Sequence, residues 1–89
     1  MINLVWDKGF KRSYQKRIKN NQLLKDKFFN VIEIFQENPF NVQLRTHKLS
    51  GELSGMWAFS ISYDCRVVFK FLSKDEVLLI DIGGHEEVY

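Results

Sequence analysis

Hydrophobic residues in the first part of the chain follow a helical spacing after one short apolar run. Residues 2–6 form a run of the length that is typical of a β-strand. Asp7 is suited to cap a helix that begins directly after it. Phe10, Tyr14 and Ile18 then recur every four residues, which places one apolar stripe along a helix. The pattern predicts a strand followed by an amphipathic helix.

A second apolar stripe follows an interruption at Asn20 and Asn21. Its members are separated by four, three, one and three residues, the spacing of one helix face: Leu24, Phe28, Val31, Ile32 and Phe35. Pro39 ends the helix, because proline disfavours helical backbone in the residue before it. We therefore predict a hairpin of two helices that share an apolar face.

Beyond Pro39 the apolar period changes to two. Apolar residues alternate with small ones through Trp57, Phe59, Ile61 and Tyr63. Asp64 and Cys65 predict a tight turn before a strand at 66–72, and residues 73–75 predict a turn before a strand at 77–82 that ends at Gly83 and Gly84. We expect an α+β fold in one domain, residues 1–89: an N-terminal strand, the helix hairpin and an antiparallel three-stranded meander.

Composition is that of a small domain with its own core. The 89 residues are 45% hydrophobic and include eight Phe, so disorder is not expected. A single cysteine, Cys65, excludes an internal disulfide and fits a reducing compartment. The chain has no signal-peptide pattern and no apolar run near the ~18 residues that span a bilayer. We expect a soluble cytoplasmic protein with no membrane partner.

Charge is distributed unevenly along the chain. Residues 1–48 carry ten Lys or Arg against four Asp or Glu, whereas residues 49–89 carry three against seven. Six of the basic residues fall within twelve positions: Lys8, Lys11, Arg12, Lys16, Arg17 and Lys19. This cluster is either a solvated helix face or a surface for a polyphosphate or an acidic protein.

Four side chains carry candidate chemistry. The only two histidines, His47 and His85, flank Arg66, and Tyr89 closes the sequence. Two imidazoles, a guanidinium and a phenol are the groups of a metal-free ribonuclease, and no cofactor or metal is expected. Simpler explanations remain open: His47 is solvated in a loop, Arg66 pairs with Asp64 or Glu76, and His85 pairs with its glutamate neighbours. Whether the two strand ends that carry Arg66 and His85 meet depends on a register that the pattern leaves open.

Several segments together resemble one known group of proteins. These are residues 47–49, 53–57, 61, 64 and 66–69, and the C-terminal run DIGGHEEVY at 81–89. They are similar to the RelE/ParE toxin superfamily, and most of all to the YafQ and YoeB branches of its messenger-RNA interferases. The basic helix hairpin that ends at Pro39 is also similar to these toxins. The resemblance covers nearly the whole chain.

The resemblance implies a type II toxin that cleaves mRNA at the ribosome and is neutralised by a cognate antitoxin. By this resemblance His85 is the catalytic histidine, Arg66 the phosphate-binding arginine, Asp64 a functional aspartate and Tyr89 a C-terminal aromatic. The general base is His47 or Glu52. Residues expected to contact RNA are Lys48, Glu52, Lys11 and Arg12. Ser60 departs from the YafQ pattern, because YafQ-like chains can carry another histidine there.

The residue types fit cleavage by a neighbouring 2'-hydroxyl. An unperturbed imidazole titrates near pH ~6.5 and can take that proton, while a guanidinium fork stabilises the charged transition state and a second imidazole protonates the leaving oxygen. Two alternatives remain, a ParE-like toxin that inhibits DNA gyrase without catalysis and a non-toxic RNA-binding module. The two histidines favour the ribonuclease, because gyrase inhibition by binding requires neither an acid nor a base.

Overall fold

Two helices pack on a five-stranded sheet in the computed structural model, which describes residues 1–84. The strands are β1 (Asn3–Trp6), β2 (His47–Lys48), β3 (Trp57–Ser62), β4 (Cys65–Ser73) and β5 (Glu76–Gly83). The helices are α1 (Lys8–Arg17) and α2 (Gln22–Glu37), and short 3₁₀ turns lie at Val42–Leu44 and Gly51–Leu53. The predicted α+β fold is confirmed. No helix within 1–84 combines the length and the apolar character that a membrane span requires.

The sheet order is β1-β5-β4-β3-β2. The predicted meander of β3, β4 and β5 is antiparallel, as expected. The N-terminal strand β1 joins the far side of the meander and runs parallel to β5. A two-residue strand, β2, which the sequence pattern did not predict, pairs with the start of β3. The sheet is therefore mixed and has one more strand than expected.

Polar caps fix the ends of the helices. The Asp7 carboxylate accepts a hydrogen bond from the backbone N–H of Gly9 at 2.9 Å, as predicted for the start of α1. Asn21, which interrupts the apolar pattern, caps α2 by accepting from the backbone N–H of Leu24 at 3.1 Å. Such caps satisfy N–H groups that have no partner within the helix. The interruption at Asn21 is thus the start of the second helix.

The core lies between the helix hairpin and one face of the sheet. The ring of Phe35 on α2 stacks on Phe59 of β3 at 4.4 Å and meets Phe69 of β4 edge-on at 5.0 Å. The two helices contact each other through Tyr14 and Phe28, whose ring centroids are 5.4 Å apart. Each fully buried Phe contributes about 1.5–3 kcal/mol by leaving water. The predicted shared apolar face of the hairpin is confirmed.

A β-bulge sets the register at the end of β5. Val68 pairs with Asp81 and Phe69 pairs with Leu79, so Ile80 is an extra residue on β5. One Asp81 carboxylate oxygen accepts hydrogen bonds from the Ser13 hydroxyl of α1 at 2.6 Å and from the Ile82 N–H at 2.9 Å. A shift of one residue moves every later side chain to the other face. The bulge therefore decides which face residues 81–83 present.

The β3–β4 turn differs from its predicted position. Tyr63 was expected on the apolar face of a strand, but it lies in the turn beside Asp64 and is 94% exposed. Cys65 was expected in the turn, but it begins β4 and is buried. The apolar alternation ends at Ile61 because the backbone leaves the sheet after Ser62. Gly83 was expected to end the last strand and is its final residue.

Candidate active site

The sheet has a second face that points away from the helices. Phe59 packs on α2, so its neighbour Ser60 faces the other way, because side chains alternate along a strand. Ser60 pairs directly with Arg66 on β4, and directly paired residues share a face. Arg66 therefore leaves the sheet on the side opposite the helix hairpin. We call this side the open face because it is turned away from the helix hairpin, although Ala58 and Val68 on it are buried.

Arg66 also pairs with Gly83, the last residue of β5. The start of β4 and the end of β5 therefore meet, which settles the register that the sequence left open. Gly83 precedes His85 by two residues, and both His85 and Tyr89 lie outside the described residues. Without the bulge at Ile80, Arg66 would pair with Ile82 instead of Gly83. The pairing of β4 with β5 thus places Arg66, the candidate for phosphate binding, beside Gly83, which precedes His85 by two residues.

The guanidinium of Arg66 is held by a backbone oxygen. Its Nη1 donates to the carbonyl of Tyr63 at 3.0 Å. A guanidinium has five N–H donors, so this bond leaves the group able to bind an oxyanion at the same time. Of the two carboxylates predicted as partners, Glu76 lies at the opposite end of β5 and pairs with Ser73. The hydrogen bond to Tyr63 orients the Arg66 head group near the β3–β4 turn.

His47 lies on β2, not in the predicted loop, and pairs with Ala58. Ala58 and Ser60 are two residues apart on β3, so His47 and Arg66 both belong to the open face. Ideal strand spacing separates their Cα atoms by about 12 Å, a distance that two long side chains can bridge through one phosphate. The Nδ1 of His47 lies 2.9 Å from the carbonyl oxygen of Arg45. Because that oxygen only accepts, Nδ1 carries the proton and Nε2 keeps the lone pair in the neutral ring.

The other predicted site residues lie in different places. Lys48 pairs with Trp57 and lies on the helix side, its ammonium 5.4 Å from the Trp57 ring centroid. Glu52 is exposed in the second 3₁₀ turn, and Asp64 is exposed in the β3–β4 turn. The two α1 residues, Lys11 and Arg12, are exposed on the helix layer. Of the predicted set within residues 1–84, the open face brings together His47 and Arg66.

One family model matches nearly the whole chain. Residues 2–89 match the family described as "Bacterial toxin of type II toxin-antitoxin system, YafQ". This chain belongs to the YafQ family of type II toxins. The resemblance to YafQ and YoeB toxins that the sequence motifs carry is thereby confirmed. No curated protein sequence matches the chain.

Solved structures of bacterial toxins share the fold. A metal-bound toxin from Helicobacter pylori superposes with a TM-score of 0.79 at 22% identity, covering 100% of both chains. YafQ from Escherichia coli gives a TM-score of 0.75 at 16% identity, covering 100% of this chain and 99% of that one. A YoeB–YefM complex from Staphylococcus aureus gives 0.75 at 16%, covering 96% and 98%. At these identities the similarity shows a common fold.

Sequence reasoning missed Arg45 in this YafQ-family chain. Its backbone is left-handed, with φ of 53°, a conformation that costs a non-glycine residue about 1 kcal/mol. Its carbonyl accepts the Nδ1 proton of His47, and Arg45 lines a cavity of about 360 Å³ together with Ser60 and Arg66, which extends to Val31 and Ile34 of α2. No residue pattern in a single sequence identifies an arginine with positive φ. Arg45 therefore positions a candidate catalytic histidine through its backbone.

Cys65 is a structural thiol beside this site. It is 6% exposed, and burial, with a smaller effect of the Asp64 carboxylate, raises the pKa of Cys65 from 9.0 to about 11; Arg17 and Arg66 partly oppose the rise. The thiol is thus protonated at neutral pH. A buried protonated thiol is a poor nucleophile, which disfavours a covalent role for Cys65.

The raised pKa of Cys65 predicts a loss of stability in alkali. Between pH 9 and 11 the unfolded thiol ionises while the folded thiol stays protonated, so the free energy of unfolding should fall by about 2 kcal/mol. Urea unfolding followed by tryptophan fluorescence at each pH measures this decline. Cys65→Ala, which cannot ionise, should decline less over the same range. Equal declines in the two proteins would contradict the prediction.

Proposed function

We propose that this toxin is an endoribonuclease that cleaves mRNA without a metal ion, by attack of the neighbouring 2'-hydroxyl on the scissile phosphate. The observation that carries the proposal is the pairing of Arg66 with Gly83 on the face that also holds His47. The donor fork of Arg66, the imidazole of His47 with its Nδ1 bonded to the Arg45 carbonyl, and the strand end that precedes His85 in the sequence belong to one part of the sheet. Those are the groups that an RNA phosphodiester needs for cleavage.

Each group takes one role in the reaction. Nε2 of His47 removes the 2'-hydroxyl proton, and the 2'-oxygen forms a bond to phosphorus. The Arg66 guanidinium donates to the phosphate oxygens as negative charge builds on them. His85 donates a proton to the 5'-oxygen as the bond between phosphorus and that oxygen breaks. The products are a 2',3'-cyclic phosphate and a 5'-hydroxyl, and the proton balance is restored by exchange with solvent.

The remaining predicted residues support binding in this proposal. Tyr89 stacks on an unpaired base, since aromatic rings are platforms for single-stranded RNA. Asp64 orients an imidazole or contacts the RNA. An antitoxin encoded with the toxin neutralises it; the heterotetrameric YoeB–YefM complex from Staphylococcus aureus is such a toxin–antitoxin pair. The toxin acts in the cytoplasm, where ribosomes position translated messages.

Cleavage of a defined message tests the function. The toxin is purified away from its antitoxin and incubated with a naked mRNA in buffer containing EDTA, which tests metal independence, and separately with the same mRNA bound to ribosomes in magnesium buffer. We expect cuts that leave 5'-hydroxyl ends and 2',3'-cyclic phosphates, and more of them on ribosome-bound message. A toxin that leaves RNA intact under both conditions and inhibits gyrase supercoiling would instead be the ParE-like alternative.

Substitution of the two candidate bases decides which one acts. His47→Ala should lower the cleavage rate by about 10²–10⁴-fold, because the positioned proton acceptor is removed. Glu52→Gln should change the rate by less than about threefold, because Glu52 lies in an exposed 3₁₀ turn outside the His47–Ala58 pairing. Single-turnover cleavage of one RNA measures both. The reverse ranking of the two variants would assign the base to Glu52.

A further inference from the structure

A groove of about 600 Å³ opens where the helix hairpin meets the end of the sheet that carries Arg66. The end of α1, the start of α2, the β3–β4 turn and the end of β5 line it. Lys16 and Arg17 come from α1, Lys27 from α2, Asp64 from the turn and Gly83 from β5. We call it the hairpin groove. None of the three cations that line it within residues 1–84 is among the residues expected from the sequence to contact RNA.

The hairpin groove is electropositive but not uniformly so. Among the residues of 1–84 that line it, three are cationic and one, Asp64, is a carboxylate, and the Cys65 thiol in the wall stays protonated because burial raises its pKa. Cations suit phosphate oxygens, whereas a carboxylate repels them. A carboxylate does accept a hydrogen bond from a hydroxyl. A ligand with both phosphates and hydroxyls matches this lining better than a purely anionic one.

The groove is continuous with the candidate active site. Its wall includes Gly83, the direct pairing partner of Arg66, and Cys65, the preceding residue on β4. A chain molecule bound at the Arg66 side chain, on the open face, can therefore reach the groove by passing around this end of the sheet.

We propose that the hairpin groove binds single-stranded RNA beside the scissile phosphate, its flanking phosphates at Lys16, Arg17 and Lys27 and one ribose 2'-hydroxyl at Asp64. The proposal rests on the proposed ribonuclease function and extends it to a second part of the substrate. An acidic antitoxin segment also offers anions to these cations, so its binding there is one outcome of the experiment. The 2'-hydroxyl contact would also distinguish RNA from DNA.

Salt dependence of RNA binding tests the phosphate contacts. The probe is a 12-nucleotide RNA with a 2'-deoxy nucleotide at the mapped cleavage position, which prevents cleavage. Each phosphate contact on a single strand contributes about 0.7 to the slope of log affinity against log salt. Lys16→Gln with Lys27→Gln should therefore reduce the slope by about 1.4. The matched control, Lys8→Gln with Lys74→Gln, removes the same charge at exposed positions outside the groove and should leave the slope unchanged.

Two further probes locate the contacts. The first of them is an RNA shortened at the end that enters the groove, so that it no longer reaches Lys16 and Lys27. The slope of its log affinity against log salt should be the same for the wild-type toxin and for the variant with Lys16→Gln and Lys27→Gln. Asp64→Ala should weaken binding of the RNA but not of the all-deoxy strand of the same sequence, because only RNA offers the hydroxyl. Thermal unfolding verifies that each variant is folded.

The outcomes separate this proposal from the function on which it rests. If the wild-type toxin cleaves RNA but the groove variant and the control variant show equal salt dependence of binding, the proposed function stands. The assignment of RNA to the groove is then overturned. Groove variants that bind RNA normally but lose affinity for the antitoxin assign the groove to the protein partner, and also overturn it. A wild-type toxin that neither binds nor cleaves RNA overturns both proposals.

Discussion

Arg66→Ala should lower the rate of RNA cleavage by about 10²–10³-fold, the typical cost of removing one donor that stabilises a charged transition state. The Arg66 side chain faces the open side of the sheet, between Ser60 and Gly83, and the Tyr63 carbonyl orients its head group. Arg66→Lys should recover only part of the rate, since an ammonium keeps the charge but not the two-pronged donor geometry. Single-turnover cleavage of one RNA measures all three proteins.

Lys70→Ala is the matched control for Arg66→Ala. Lys70 is an exposed cation on the same strand, opposite Leu78, so its removal changes the net charge equally without touching the end of β5. The Lys70→Ala toxin should cleave RNA within about twofold of the wild-type rate, because the Lys70 side chain donates to no reacting group. Antitoxin binding, measured for both variants, should be retained if Arg66 acts in chemistry. An Arg66→Ala toxin that cleaves as fast as Lys70→Ala would remove Arg66 from the mechanism.

His85→Ala should lower cleavage by about 10²–10⁴-fold if its imidazole protonates the leaving 5'-oxygen. The chemistry of the leaving group provides a direct test. A substrate with sulfur in place of the bridging 5'-oxygen releases a thiolate, and a thiol of pKa ~8.5 needs little help from an acid. His85→Ala should therefore cleave the sulfur substrate at nearly the wild-type rate, while it remains slow on the normal RNA.

His47→Ala is the control for this rescue. Its defect lies in removal of the 2'-hydroxyl proton, which the sulfur substrate still requires, so it should be slow on both substrates. The pair of variants thus separates the acid from the base. If His85→Ala remains equally impaired on the sulfur substrate, His85 is not the general acid. If His47→Ala is rescued, the two roles are exchanged.

Local pattern was sufficient for most of the fold. The spacing of apolar residues predicted both helices, because an amphipathic helix must turn one stripe to the core, and Phe28 and Phe35 are fully buried as that requires. Apolar residues at every second position predicted β3, because a strand with one face on the core must alternate in this way. The pattern failed at β2, whose two residues are too short for any period to be visible. It also failed at Tyr63, because an aromatic residue in a turn continues an alternation by chance.

Local pattern was less informative for the site. Motifs selected His47 and Arg66, but not the fact that they share a face, which requires the β2–β3 and β3–β4 registers together. Arg45 orients His47 through its carbonyl oxygen, and this depends on its left-handed backbone. The residue type alone does not reveal that conformation. The hairpin groove joins Lys16, Lys27 and Gly83, which are distant along the chain, so no window of sequence contains it.

The sequence by itself determined the α+β class, the YafQ-like motifs and the candidate residues, because these depend on residue type and on spacing within one element. Only the tertiary structure decided that the start of β4 meets the end of β5, with Arg66 opposite Gly83. The physical reason is the extra residue at Ile80, next to an Asp81 carboxylate that bonds to Ser13 of α1. Register is a property of two strands and their packing, and neither strand encodes it alone.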